Sequence, residues 1–170
     1  MAACLRFTRR VWKSFLENKG KAFLDAGDKA IERAVPGTVQ ASLKLEQYNL
    51  NRTQTVHGGL ILSLTDTLGS LAVSTRGHFM TGVSTDIGTS FVKPAGTIED
   101  TLSAKAVVVA MGRTLAYTRV EFSNAKGDLV AYGHHTKFVG KALEHENNVK
   151  FSSDGERVTE GQDIIDEPEP

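Results

Sequence analysis

A single cysteine, Cys4, stands in 170 residues. An internal disulfide is excluded, and a reducing compartment is the simpler setting. Net charge is missing too: 20 Lys and Arg balance 20 Asp and Glu, so no overall field draws the chain to nucleic acid or to a membrane surface. The apolar run at Leu60–Leu64 is far shorter than the ~20 residues of a membrane-spanning helix, and no internal repeat is present. The N-terminus also lacks the long apolar centre of a secretory signal.

What charge there is lies unevenly. The first 21 residues carry Arg6, Arg9, Arg10, Lys13, Lys19 and Lys21 against Glu17 alone. Leu5, Val11, Trp12, Phe15 and Leu16 recur there at roughly helical spacing. Two readings stand: a mitochondrial presequence, or an amphipathic helix packed on the domain. From Asp154 onward Arg157 faces Asp154, Glu156, Glu160, Asp163, Asp166, Glu167 and Glu169. The composition turns polar and acidic from about 141, so 141–170 is expected to be a disordered or loosely docked tail.

Between these ends the patterns predict a helix over 8–33, with Phe23, Leu24, Ala30 and Ile31 on its packing side, ended by Pro36-Gly37. Residues 38–46 alternate as a half-buried strand, and 47–56 form a loop. A helix follows over 58–74. Four strands come next: 83–92, with Val83, Ile87 and Phe91 on one face, then 100–110, 113–123 and 128–139. Met111-Gly112 and "NAKG" supply tight turns. One long helix against one concave antiparallel sheet is the economical α+β packing. The other sheet face would need the N-terminal helix or a second subunit to cover it.

The 58–74 segment poses the chemical question. Leu60, Leu64, Leu68 and Leu71 form an apolar stripe that Ile61, Leu62, Ala72 and Val73 widen, so the helix is central and buried. Gly59, Ser63, Asp66, Thr67 and Ser70 make a narrow small or polar row. Asp66 is either satisfied by neighbouring hydroxyls, or exposed, or a carboxylate at a pocket wall. Gly58 and Gly59 sit in the first turn, where backbone N–H groups lack intrahelical partners and favour an oxyanion. His57-Gly58-Gly59 by itself could be no more than a helix start. His134 and His135 are strand neighbours pointing to opposite faces, which speaks against a shared metal ion.

Asn51, His57-Gly58-Gly59 and Asp66, followed by "GVSTDIGTSFVKPA" and "MGRTLAYTRVEFSNAKGDLVAYGHHTKFVG", resemble the hotdog-fold acyl-CoA thioesterases, and among them the phenylacetate-pathway-type group. The resemblance spans about 35–140 in unbroken order. It implies one hotdog domain, a five- to six-stranded antiparallel sheet wrapped around one long central helix, behind an N-terminal segment over 1–34. It implies hydrolysis of acyl-CoA in fatty acid metabolism, with no cofactor beyond the CoA of the substrate. Gly58 N–H and Asn51 would hold the thioester carbonyl oxygen. Asp66 would activate water or attack directly, Ser84 would position that water or Asp66, and His57 would lie near the thioester sulfur. CoA would run along Phe91, Val92, Lys93, Pro94, Ala95 and Gly96 and along Ala110, Met111, Gly112, Arg113, Thr114 and Leu115. Gly59 and Lys137 would contribute, with Lys93 and Arg113 on phosphates. Phe138 departs from the group's frequent "HTKHLG" pattern and removes one CoA contact.

One inference needs no family. Gly58 and Asp66 are eight residues apart, about 12 Å along a helix. A thioester carbonyl must lie about 3 Å from both its oxyanion donor and its attacking group. If both residues act, they come from different subunits, so a homodimer is required. The resemblance adds a homotetramer built from dimers. The competing expectations are a non-catalytic acyl-CoA-binding or structural subunit and a hotdog hydratase, whose His/Asp layout is not evident. The expected compartment is the mitochondrion or the cytoplasm, the former favoured by the resemblance and the basic N-terminus.

Overall fold

The computed structural model describes residues 1–17 and 30–163. Helix α1 (Ala3–Glu17) precedes strands β1 (Ile31–Val35) and β2 (Thr38–Lys44). Helix α2 (Gly58–Ser74) follows, then β3 (Val83–Phe91), β4 (Thr101–Met111), β5 (Leu115–Ser123) and β6 (Leu129–Phe138). A small hairpin, β7 (Lys150–Phe151) and β8 (Val158–Glu160), comes last. The large sheet is antiparallel in the order β1-β2-β4-β5-β6-β3. Its concave face wraps α2, which is the hotdog arrangement, with six strands.

The core follows from the two periodicities. Alternate residues of the central strands, among them Val39, Leu102, Ala106, Val120 and Phe122, meet Leu60, Ile61, Leu64, Leu68 and Leu71 of α2 in one buried cluster. Helix and sheet approach closely where side chains are small. A Cβ on Gly69 would lie 2.8 Å from Thr118 Oγ1 and 2.9 Å from His135 Nδ1, so only glycine lets α2 settle this low. Leu62, expected in the apolar stripe, is exposed on the other side of α2. It stands one turn from Asp66, where no described residue covers it.

Three expectations give way. The predicted 8–33 helix ends at Glu17 among the described residues, and Ile31–Val35 is a strand paired to β2 through the Pro36-Gly37 turn. β-branched Ile31 and Val35 suit the sheet edge, and pairing satisfies backbone groups of β2 that a helix would leave open. Phe23 and Leu24 lie outside the described residues. Next, Val83 does not share a face with Ile87 and Phe91. Ser84 pairs with Lys137 and Asp86 with Thr136, so Thr85 is an extra residue, a bulge that flips the alternation. Finally, residues 141–163 are not a disordered tail. Hairpin carbonyls of Gly155 and Glu156 accept the N–H groups of Cys4 and Ala3 at 2.9 and 3.2 Å, donors that the start of α1 cannot satisfy itself. Phe151 packs edge-on to Phe7, with centroids 5.6 Å apart, and Arg6 pairs with Asp163 at 2.8 Å.

α1 lies beside α2 on the concave side, with Cys4, Phe7, Val11 and Trp12 in the shared core. It leaves the convex face of the sheet uncovered by any described helix. Burial pushes the Cys4 thiol up to about 12, and its Sγ donates to the Thr75 carbonyl, so the lone cysteine is an inert packing group. No described helix is long and apolar enough to cross a membrane.

Candidate active site

Two groups of polar residues converge on α2, at different places. The first surrounds its start. His57 caps the helix: its Nδ1 accepts the Gly59 N–H at 2.9 Å, while its carbonyl accepts Leu60 N–H at 2.9 Å and Ile61 N–H at 3.4 Å. Among the first four helical N–H groups, that of Gly58 has no partner among the described residues. Gly58 lines a cleft of about 280 Å³ together with Asn51, Ile61, Phe91 and Lys93. Asn51 organises the preceding loop. Its Oδ1 accepts from Thr53 N–H, the Thr53 hydroxyl and Thr55 N–H at 2.9, 2.7 and 3.3 Å. Its Nδ2 donates to Thr55 Oγ1 at 3.0 Å, and the second amide hydrogen has no partner among the described residues. The cleft thus offers two hydrogen-bond donors against apolar walls, a fit for an oxygen carrying developing negative charge.

The second group lies at mid-helix. Asp66 is about half exposed on the flank of α2 that faces β3 and β6, and its Oδ1 is 3.6 Å from His135 Nε2. His135 on β6 is fully buried. Its Nδ1 lies 3.2 Å from the Asp66 carbonyl oxygen and its Nε2 lies 2.8 Å from Ser84 Oγ. A carbonyl can only accept, so Nδ1 carries the hydrogen; in the neutral ring Nε2 then accepts the Ser84 hydroxyl. Burial first, then the charge of Lys137, hold the imidazole below its ordinary pKa, against the pull of Asp66. The bulge at Thr85 is what aims Ser84 here: regular alternation would place it on the convex face beside Asp86.

The structure brings Asn51, Gly58, Phe91, Val92, Lys93, Pro94 and Ala95 together around the cleft. Gly96 adjoins them, its carbonyl accepting Val56 N–H, and Gly59 lies exposed on the helix beside it. Lys93 is exposed and paired with Asp128 at 3.1 Å. Residues 110–115 are elsewhere. Leu115 pairs with Phe138 and the Thr114 carbonyl accepts Val139 N–H, so Arg113 sits at the opposite end of β6 from the Val130 and Ala131 that line the cleft. Lys137 is not on the surface at all. It is 4% exposed, and its Nζ donates to Ser70 Oγ at 2.6 Å. The resemblance implies a CoA contact for Lys137; in the structure its strand position faces the helix. His135 and Ser70 were absent from the sequence-based set. Alternation along β6 places His135 and Lys137 on one inward face, the signal that could have found them.

Ser84 and Phe91 stand near the two ends of β3, seven residues or roughly 23 Å apart. The donor cleft and the acceptor cluster of one chain therefore cannot act on one small group. β3 is the outer strand of its sheet, with one long edge free among the described strands. An antiparallel pairing of two such edges about a two-fold axis carries the Ser84 end of one chain to the Phe91 end of the other.

The profile of the thioesterase superfamily matches residues 53–131. A Schizosaccharomyces pombe protein described as an esterase is 41% identical over 139 residues, 82% of this chain and 86% of its own length. Human acyl-coenzyme A thioesterase 13 is 38% identical over 108 residues, covering 63% of this chain and 76% of that protein. The crystal structure of zebrafish thioesterase superfamily member 2 superposes with a TM-score of 0.69 at 30% identity, over 80% of this chain and 98% of that one.

Proposed function

The chain belongs to the thioesterase superfamily, and from that premise we propose that it hydrolyses acyl-CoA thioesters as a homodimer whose two active sites each draw on both subunits. The observation that carries this reading is the separation of a donor half-site from an acceptor half-site by the length of one unpaired edge strand. Each half is chemically incomplete. Together they supply what acyl transfer to water needs.

Gly58 N–H and the free Asn51 amide hydrogen of one subunit hold the thioester oxygen, where charge grows as the carbon becomes tetrahedral. Asp66 of the other subunit accepts one proton of water. Ser84 has given its hydrogen to His135, so its oxygen accepts the water's second hydrogen. With both hydrogens directed, a lone pair of the water faces the carbonyl carbon. The C–O bond forms; the tetrahedral adduct then collapses, the C–S bond breaks, and the proton held by Asp66 leaves with the CoA thiolate. Free acid and CoA result, and no cofactor takes part. CoA lies along Phe91–Gly96 of the donor subunit and 110–115 of the other, with Lys93 and Arg113 beside the phosphates. The uncovered convex face, with Val109, Tyr117 and Tyr132 exposed, pairs dimers into a tetramer. The setting is fatty acid metabolism in the mitochondrion or the cytoplasm.

Thiol release from a panel of acyl-CoAs tests the reading; wild-type turnover at background level would leave only binding or hydration. The shared site has its own test. Asp66→Ala and Asn51→Ala should each be strongly impaired, and mixing them by subunit exchange should raise activity to about a quarter of wild type, because half the dimers then hold one intact site of two. No recovery despite demonstrated exchange would refute the shared site.

A further inference from the structure

Beneath the acceptor half-site lies a charge that the scheme above leaves unused. Lysine heads are seldom buried without a partner, yet Lys137 lies inside the helix–sheet layer with one hydrogen bond among the described residues, to Ser70 Oγ. Ser70 is itself buried on α2, one turn beyond Asp66. Lys137 is two residues from His135 on the same face of β6, about 7 Å along the strand. Burial draws the lysine below its ordinary pKa, and the charge of Asp66 opposes this.

The other charges near this layer point away. α2 carries no ionisable residue but Asp66. On β3 and β6, Asp86 and His134 pair with each other at 3.0 Å, both side chains exposed; His134 adds a small repulsion that also keeps His135 neutral. On β5, Arg119 and Glu121 pair with each other at 2.9 Å and Tyr117 is exposed. Among the described residues, Asp66 and Lys137 are therefore the charges that act on His135 from within the layer.

We propose that Lys137 is a positioning residue for hydrolysis: its ammonium, seated on Ser70, keeps His135 neutral, so that His135 accepts a hydrogen bond from the Ser84 hydroxyl instead of forming an ion pair with Asp66. A second proton on His135 would damage the site twice. Nε2–H would turn toward Asp66 Oδ1, 3.6 Å away, and set an imidazolium against the base. It would also occupy a Ser84 lone pair and swing the Ser84 hydrogen toward the water it should accept from. A fixed cation one pleat away opposes that second proton; an uncharged side chain of the same shape does not.

The role rests on the thioesterase reading, but half of its test does not. Nitrogen NMR of the resting protein reads the tautomer and titration midpoint of His135 without substrate. Lys137→Met should raise that midpoint by on the order of one pH unit. The acid limb of kcat/KM for acyl-CoA should move up with it, giving a loss of about tenfold on the acid side that closes at high pH. Lys137→Arg, which keeps the charge, should hold both near wild type. If Lys137→Met does not fold, Lys137→Gln removes the charge while keeping a hydrogen bond to Ser70. A midpoint that stays put in a folded uncharged variant overturns the proposal, as does an arginine variant that shifts like the uncharged one. A wild type without turnover would sink the hydrolase reading and leave the His135 titration to decide the charge relation alone.

Discussion

The start of α2 and its middle are two turns apart and are built from opposite materials. At the start the functional groups are a backbone N–H and one amide hydrogen, fixed by a histidine cap and a hydrogen-bonded loop, beside a cleft walled by Val56, Ile61 and Phe91. At the middle they are side chains that titrate or rotate: Asp66, His135, Ser84, Lys137. The difference suits the tasks proposed for the two places. An oxyanion needs dipoles that are already aimed and never change charge. A base must change charge in every turnover, so its neighbours decide when it can. Half-site variants should separate accordingly: donor-side changes lower the rate uniformly with pH, and acceptor-side changes alter its pH dependence.

Asp66→Asn should show the largest effect. It is nearly isosteric, half exposed in one chain, and removes only the proton acceptor, so kcat should fall by on the order of 100-fold or more with KM little changed. Thiol release under saturating and limiting substrate measures both. Asn51→Ala should come next, at about 10- to 100-fold in kcat, with the pH profile keeping its wild-type shape. A shifted acid limb in Asn51→Ala would break the contrast between the halves.

Gly69→Ala probes the floor under the acceptor group. The new methyl carbon would meet Thr118 Oγ1 at 2.8 Å and His135 Nδ1 at 2.9 Å, so the imidazole must move. Overpacking of this kind costs about 1–3 kcal/mol, read as a lower midpoint in thermal or denaturant unfolding. Activity should fall several-fold more than the residual folded fraction explains. Lys93→Ala belongs to the donor side and should be milder: a KM raised a few-fold, shrinking at high salt, with kcat unchanged. Lys93 already pairs with Asp128, whose carboxyl it holds below the usual range, so a CoA phosphate has to displace that partner.

The same contrast explains what could be read from the sequence. The donor half is local. Its motif lies within Asn51–Gly59, and α2 begins at Gly58 and ends at Ser74 as the periodicity predicts. The acceptor half is assembled from three elements, and its decisive feature, the bulge at Thr85, is a two-against-one count set by the partner strand. Alternation alone turns Ser84 outward, so although it puts His135 on the inward face of β6 it does not join the two. Lys137 was expected beside CoA on the resemblance alone; the register of β6 under α2 puts it inside. Ile31–Val35 and the 150–160 hairpin were missed for a related reason. Their structure comes from what they pair with or cap, β2 and α1, and not from their own pattern.

The smallest expected effect concerns His57, the residue of the motif whose geometry speaks most for structure. Its Nδ1 accepts the Gly59 N–H and its carbonyl accepts that of Leu60, and this arrangement leaves the Gly58 N–H as the donor facing the cleft. His57→Ala removes the side-chain cap and should cost about 1 kcal/mol of stability. His57→Asn restores an acceptor at the same place and should recover most of it. If capping is the whole contribution of the ring, kcat follows stability: slightly reduced in the alanine variant, within about twofold of wild type in the asparagine one. An asparagine variant that regains its unfolding midpoint while kcat stays tenfold down would show that the imidazole touches the substrate as well.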